Sequence, residues 1–352
     1  MKPHSCGGMK MLTTMAAKNR PHQKSGKIRA IDLFCGIGGN SWGARAAGVE
    51  IVAGFDKWEL AGQVFQDNFP EARFYHVDLS TLKRADIERI RDDIGPIDLI
   101  LASPECTSHS VARGASPQDK ASLRLSWNVW RFAEVFRPRW IVVENVPAFR
   151  AWEHYTDFLQ VLQRKGGYHY REEMLTASEF CVPQKRRRLY LLFDRERKPR
   201  PVASRCEEPP PASAVISLNG EYRFSPLVTE RRAKNTLARA ERAIQVLGRE
   251  TPFLLVYYGS DGAGGWQSLD APLRTVTTVD RFALVKPDGR GGHLMRMLQP
   301  PELQKAMGFP PEFRLAHGNR REKIHLLGNA VCPPVMQAIV ETLVGGPSRE
   351  TE

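Results

Sequence analysis

Residues 28–39 read Ile-Arg-Ala-Ile-Asp-Leu-Phe-Cys-Gly-Ile-Gly-Gly. The apolar side chains crowded between Ile28 and Phe34 predict a buried strand. Gly36-Ile37-Gly38-Gly39 predicts a tight turn, since glycine tolerates positive φ and lets a backbone approach a ligand closely. A helix is expected to follow, through about Ala47. Strand, glycine-rich turn and helix in this order form the opening unit of an open α/β sheet.

The same alternation continues outward. Val49 to Phe55 predicts a second strand, and Trp58 to Phe69 a helix with Leu60, Ala61, Val64 and Phe65 at helical spacing. Phe74 to Val77 is a third strand ending at Asp78. Ile97 to Ala102 and Trp140 to Val143 are the fourth and fifth, with a helix from Ser126 to Phe136 between them. Tyr168 to Leu175 and Arg188 to Phe193 are two more strands with a short connection. This pattern predicts a doubly wound, Rossmann-like, mostly parallel sheet with helices on both faces. After Asp194 the composition shifts. Residues 195–225 are rich in Pro, Arg, Glu and Ser, and 230–249 predict a basic amphipathic helix with Leu237, Ala240, Ile244 and Leu247 on one face. Phe253 to Tyr258, a glycine-rich loop at 259–265, β-like Thr275 to Val285 and a Pro-Pro-initiated final helix complete the chain. Four parts are expected: a basic disordered tail (1–27), a main domain (28–195), a smaller domain (196–320) and a C-terminal segment (321–345) that packs back on the main domain.

Composition sets bounds. The chain has 352 residues, 42% hydrophobic and 26% charged, as an ordinary soluble globular protein has. No apolar run approaches the roughly 20 residues that cross a bilayer, and the N-terminus lacks the apolar core of a secretory signal. The cysteines at 6, 35, 106, 181, 206 and 332 form no C-x-x-C. Their scatter argues against a zinc site or disulfide framework and for a reducing compartment. The net charge is +12, and seven basic residues with no acid fall within 1–29. Such a chain suits a polyanionic partner, although a merely solvated basic surface also accounts for the charge.

Three strand ends carry side chains suited to one ligand. The Gly36-Ile37-Gly38-Gly39 turn follows the first strand. Asp56 follows the second, about 20 residues on, where an acid binds ribose hydroxyls. Asp78 follows the third, where an acid accepts from an adenine amino group. A turn with no ligand remains the plainer reading of the glycines alone. The pattern is G-x-G-G, not G-x-G-x-x-G, and no phosphate-loop lysine is present, so S-adenosylmethionine is favoured over a dinucleotide or a triphosphate. The other strand ends carry reactive groups. Ser103-Pro104-Glu105-Cys106 follows the fourth strand, and Glu144-Asn145-Val146 ends the fifth. A cysteine and a glutamate so placed suit nucleophilic attack paired with proton donation. Gln184-Lys185-Arg186-Arg187-Arg188 leads into an apolar strand, which puts Arg186 and Arg188 at the sheet margin on one side. The plainer readings are a structural thiol, a turn-bracing glutamate and a solvated charge run.

Together these segments resemble the DNA cytosine-5 methyltransferase family. The matching stretches, in the family's order, are Asp32 to Gly39, Asp56, Asp78, Pro104 to Ser110, Glu144-Asn145-Val146, Gln184 to Arg188, Arg274-Thr275-Val276-Thr277, Arg296 to Phe309 and Gly328 to Val331. They span nearly all of residues 28–340. The resemblance implies that Cys106 attacks C6 of a flipped-out cytosine and that Glu144 contacts N3 and the exocyclic amine. It implies that Arg188 stabilises the O2 side and that Arg186 supports the nucleophile loop. It places Asp32, Phe34, Gly36, Gly38, Gly39, Asp56, Asp78 and Asn329 around the cofactor, with Phe34 packed on the adenine. It places Ser103, Pro104, Ser110, Asn145, Gln184, Arg274 and Thr275 at the substrate. The main domain would then hold S-adenosylmethionine, which leaves as S-adenosylhomocysteine, with no metal; the smaller domain would recognise the target. Double-stranded DNA is the implied partner, and a cognate restriction endonuclease a further one. A monomer in the cytoplasm of a prokaryote, or encoded by a phage, is expected, with no membrane association. A tRNA cytosine-5 methyltransferase and a catalytically inactive DNA-binding relative are the competing readings. The chain departs from the family at Glu105 and Thr107, where Pro and Gln usually flank the cysteine, and at Lys57, where an aromatic residue usually stands and Trp58 comes one place later.

Overall fold

In a computed structural model of the chain, which describes residues 26–104, 125–258 and 264–345, the first glycine turn is bracketed by strand and helix as expected. β1 (Arg29–Leu33), β2 (Glu50–Asp56), β3 (Arg73–His76), β4 (Leu99–Ala102), β5 (Trp140–Asn145), β6 (His169–Thr176) and β8 (Arg187–Asp194) form one sheet. Its order is β3-β2-β1-β4-β5-β8-β6. β1 to β5 pair in parallel, while β8 runs antiparallel to both β5 and β6. The order reverses between β1 and β4, which opens a crevice at the carboxyl ends of the strands.

Both faces of this sheet are covered, which explains the unbroken apolar runs. Ile31, Leu33, Ile100, Ala102, Ile141 and Val143 point into one core; Ala30, Leu99, Leu101, Trp140 and Val142 point into the other. Helices α1 (Gly39–Ala46), α2 (Glu59–Asn68), α3 (Arg84–Ile94), α4 (Trp127–Phe136) and α5 (Tyr155–Arg164) connect the strands. α3 and α5 were not expected. Ile87, Ile90 and Ile94 are the buried stripe of α3, at the 3–4 spacing a helix requires, within an otherwise charged segment.

The second sheet is antiparallel throughout. β9 (Ser225–Pro226), β10 (Phe253–Val256), β11 (Trp266–Ser268), β13 (Phe282–Pro287) and β14 (His293–Met297) stand in the order β11-β10-β13-β14-β9. Phe253, Leu255, Ala283 and Val285 pack on Ala240 and Ala243 of α6 (Lys234–Leu247). Leu254, Val256, Phe282 and Leu284 face the other way, into the core shared with the main sheet. The second sheet is therefore joined to the first through a common core. β7 (Gln184–Lys185) pairs in parallel with β12 (Leu273–Arg274) and links the two sheets. The β-like run expected from Thr275 becomes a strand only at Phe282.

α7 (Pro300–Ala306), α8 (Arg320–Asn329) and α9 (Pro333–Val344) close the chain. By length and composition the stretch Arg320–Val344 could cross a membrane, but it is broken at Ala330–Cys332 and 67% of its most apolar window is buried. α9 lies along α1 with almost no space between them. A Cβ on Gly43 would sit 2.4 Å from Pro333 O and 2.7 Å from Met336 Cβ, and one on Gly39 would sit 2.3 Å from Val331 O.

A disulfide joins Cys181 to Cys206, 25 residues apart. This corrects the expectation that the scattered cysteines form no bridge, and the reducing compartment loses that support. The fold makes the pair: the segment after β8 returns along the turn before β7, where Arg205 N donates to Glu179 O. Sequence spacing does not reveal such an encounter. Gly43→Ala is expected to cost about 1–3 kcal/mol through overpacking against α9. Urea unfolding measures it, and an unchanged midpoint would contradict the close helix contact.

Candidate active site

A cavity of about 820 Å³ lies over the carboxyl ends of β1, β2, β4 and β5. Phe34, Gly36, Asp56, Trp58, Val77, Asp78 and Leu79 line it on the side of β1 to β3. Ser103, Pro104, Glu144, Asn145 and Arg188 line it on the side of β4, β5 and β8. Tyr258, residues 275–279 and residues 328–331 form the facing wall.

The β1 turn is held by carboxylates. Phe34, Gly36 and Gly38 have φ of 58°, 51° and 87°. Asp56 accepts from Gly36 N and from Trp58 N, both at 2.9 Å, so it ties the turn to the end of β2 while also facing the cavity. Asp78 accepts from Ser80 N and Ser80 Oγ through a single oxygen, Oδ1. The Ser80 hydroxyl bond holds its carboxyl below the usual range. Asp32, expected at the cofactor, is instead fully buried beneath the turn and lies off the cavity wall. It accepts from Ser41 Oγ at 2.7 Å and Asn40 Nδ2 at 3.2 Å, and burial pushes its pKa to about 7. Gly38 is likewise a packing residue, because its Cα faces Phe69. Gly39 lines the cavity, and Asn329 lies on its far wall.

At the other end Glu144 and Arg188 meet. Glu144 pairs across the sheet with Tyr190, so Arg188, two residues back along β8, projects from the same face beside it. Arg188 Nε lies 3.2 Å from Glu144 Oε1, and both side chains are largely shielded. Burial raises the Glu144 carboxyl above its usual range against the pull of Arg188 and Arg186. Burial also lowers the Arg188 guanidinium to about 10. Asn145 Nδ2 donates to Pro104 O at 3.1 Å, and Ser103 Oγ donates to Phe34 O, so the chain is anchored where it leaves β4. Cys106 and Ser110, with Glu105 and Thr107, lie outside the described residues.

Two expected site residues, Gln184 and Arg274, lie off the cavity and act as braces. Gln184 is fully buried and off the cavity wall. It donates to Ala306 O and accepts from Val276 N because its amide serves two passing backbones. Arg186 lines the cavity, and its guanidinium donates to Val276 O and Gly328 O. Arg274 lies off the cavity wall and donates to Trp266 O, whereas Thr275 lines the wall and donates through Oγ1 to Lys185 O. The sequence reading missed Asn40, Tyr258, Thr278 and Val279. Asn40 was legible only as a polar side chain on the helix face turned to β1.

The cavity fits an adenosine-bearing sulfonium. It offers an aromatic ring and two strand-end carboxylates to the nucleoside. It also holds Asn40, whose buried Oδ1 has no hydrogen-bond partner in the protein. No cluster of three metal-ligating side chains exists among the described residues.

Comparison with known proteins agrees with this geometry. Residues 28–345 match the family described as C-5 cytosine-specific DNA methylase. The type II methyltransferase M1.BsuMI of Bacillus subtilis is 32% identical, over 89% of this chain and 80% of its own length. M.HindV of Haemophilus influenzae, also a type II methyltransferase, is 28% identical over 86% of this chain and 92% of its own. Among solved structures, DNMT2 of Spodoptera frugiperda shares the fold with a TM-score of 0.62 at 18% identity, over 90% of this chain and 99% of its own.

Two outcomes follow from the buried polar groups. The folded pKa of Asp32 is raised, so its contribution to stability is fully present below its unfolded value near 4 and is lost as pH rises towards 7. Asp32→Asn should remove that decline, a difference of a few kcal/mol across the window; parallel urea midpoints for both proteins would refute the burial argument. Arg186→Leu removes the donor to two remote carbonyls and should cost about 3 kcal/mol, again read by urea unfolding.

Proposed function

We propose that this chain, which belongs to the C-5 cytosine-specific DNA methylase family, binds S-adenosylmethionine over β1 to β3 and an extruded cytosine beside Glu144 and Arg188. The family's reaction is methyl transfer to C5 of cytosine in DNA. The observation that carries the residue assignment is the shielded Glu144–Arg188 pair at the carboxyl end of β5, next to the strand that leads to Cys106.

C5 of cytosine is a weak nucleophile until C6 is attacked, so covalent catalysis is needed. The Cys106 thiolate adds to C6. Glu144, whose carboxyl burial raises above its usual range, donates towards N3 as negative charge builds on the ring. Arg188 remains cationic at neutral pH and is assigned the stabilisation of the carbonyl side of the base. Asn145 fixes the point at which the nucleophile segment leaves the sheet. S-Adenosylmethionine supplies the electrophilic methyl group to C5. Loss of the C5 proton and expulsion of the Cys106 thiolate then restore the aromatic ring. A base inside a duplex is out of reach of these groups, so the nucleotide is extruded. The net charge of +12 favours the phosphate backbone.

The likeness to type II methyltransferases supports action on DNA in a prokaryote or phage with a cognate restriction endonuclease as partner class, and we propose that the chain acts as a monomer in the cytoplasm. Residues 196–320 are read as the target-recognising part.

Cys106→Ser should abolish transfer of labelled methyl to duplex DNA while cofactor binding, measured by calorimetry, is retained. Glu144→Gln should lower the rate by about 10²–10⁴ and remove its fall with rising pH, because the carboxyl acts in its protonated form. DNA containing 5-fluorocytosine should trap a covalent complex with the wild type and none with Cys106→Ser. Turnover by Cys106→Ser, or transfer to tRNA but not DNA, would overturn the reading.

A further inference from the structure

Asn40 carries an acceptor that the fold leaves unused. It is the second residue of α1, is 1% exposed and lines the cavity. Its Nδ2 donates to Asp32 Oδ1 at 3.2 Å and to Ser103 Oγ at 3.3 Å, while its Oδ1 is buried with no hydrogen-bond partner. Asp32 sets the orientation of the amide. Its Oδ1 accepts from the amide's Nδ2, so the Asn40 Oδ1 faces away from it. Buried acceptors without a donor are unfavourable and uncommon. A cavity wall is a place where a ligand can supply the missing donor.

The location selects the donor. The N-terminus of α1 begins at Gly38, which provides no side-chain cap; Asp32 accepts from the Ser41 backbone, and the positive end of the helix dipole favours a further anion there. The amino-acid end of S-adenosylmethionine is a zwitterion. Its carboxylate suits that helix end, but its α-ammonium has three donors and no acceptor and is repelled by it. The ammonium needs an oxygen close to the same helix turn. Asn40 Oδ1 is such an oxygen, and Asp32 behind it polarises the amide towards Oδ1. Ser103 Oγ, bonded to both Asn40 Nδ2 and Phe34 O, joins the amide to the turn after β1.

We propose that Asn40 Oδ1 accepts a hydrogen bond from the α-ammonium of S-adenosylmethionine and thereby selects ligands that carry it. The proposal rests on the reading that the cavity holds this cofactor. Asp32 acts through Asn40 and is a positioning residue. The titratable groups acting on Asp32 are Asp56 and the Cys35 thiol. Its pKa of about 7 makes it responsive to a new cation nearby.

Calorimetry on the full chain tests this with two ligands: S-adenosylmethionine and its desamino analogue, in which hydrogen replaces the ammonium. The wild type should bind S-adenosylmethionine about tenfold or more tightly than the analogue, in line with a charge-assisted bond. Asn40→Ala should bind the analogue as the wild type does but lose the preference, so that the ratio falls towards one. Equal affinities in the wild type, or an undiminished ratio in Asn40→Ala, would overturn the proposal. A second measurement needs no variant. Titrations at pH 7 in buffers of different ionisation enthalpy should show more proton release with S-adenosylmethionine than with the analogue, because the ammonium favours ionised Asp32; equal release would also overturn it. If the wild type binds neither ligand, the cofactor reading itself fails.

Discussion

One buried guanidinium holds distant parts of the chain around the cavity. Arg186 sits just before β8 and donates to Val276 O and Gly328 O, each at 2.9 Å and 90 and 142 residues away. Gln184 extends the clamp with a neutral amide, bonding Ala306 O and Val276 N. Backbone groups brought into a core need partners, and strands normally supply them. Here two side chains do. The wall from Thr275 to Val279 can therefore remain irregular and still be held in place, with Tyr258 Oη completing it at Thr275 O. The C-terminal helices depend on the same arrangement, since Gly328 follows the body of α8 and α9 then lies flush on α1.

The Glu144–Arg188 pair shows what this enclosure does to chemistry. Burial disfavours both charges, so the acid rises and the base falls, while their mutual attraction opposes each shift. A buried pair of this kind is a weak contributor to stability. Its value lies in reactivity: a carboxyl able to donate stands beside a cation able to receive developing charge. On the proposed function, a base entering the cavity would displace water and deepen the burial, which favours the protonated form of Glu144.

Much of this was legible in the sequence, for identifiable reasons. The strands from Ile28 to Phe193 showed as apolar runs because both sheet faces are covered. Asp56, Asp78, Glu144 and Arg188 line the cavity, at strand ends that those runs fix. Other features depended on distant partners. Thr275 to Arg281 reads as strand from its β-branched residues, but the backbone of Val276 bonds the side chains of Gln184 and Arg186, whose proximity no local pattern reveals. Asp32, Gln184 and Arg274 belong to recognisable motifs, and the structure gives them supporting places away from the cavity. α3 hid its isoleucine stripe among charges, and the Cys181–Cys206 pair required the return path of the chain after β8.

The direction of β8 explains why one motif precedes its strand while the others follow theirs. In β1, β2, β4 and β5 the carboxyl ends share one edge, so their functional side chains come after the apolar run. β8 is antiparallel to β5, and the edge that holds Glu144 and Asn145 therefore receives its beginning. A chain arriving there from β7 passes the crevice before it enters the core. Gln184, Arg186 and Arg188 thus lie on the approach. The first two fasten the facing wall, and the third, already within the strand, reaches Glu144. Were β8 parallel, the same three side chains would lie at the opposite edge of the sheet, and neither the clamp nor the acid–cation pair could form. The antiparallel reversal near the end of an otherwise parallel sheet is accordingly what brings wall and chemistry to the same place.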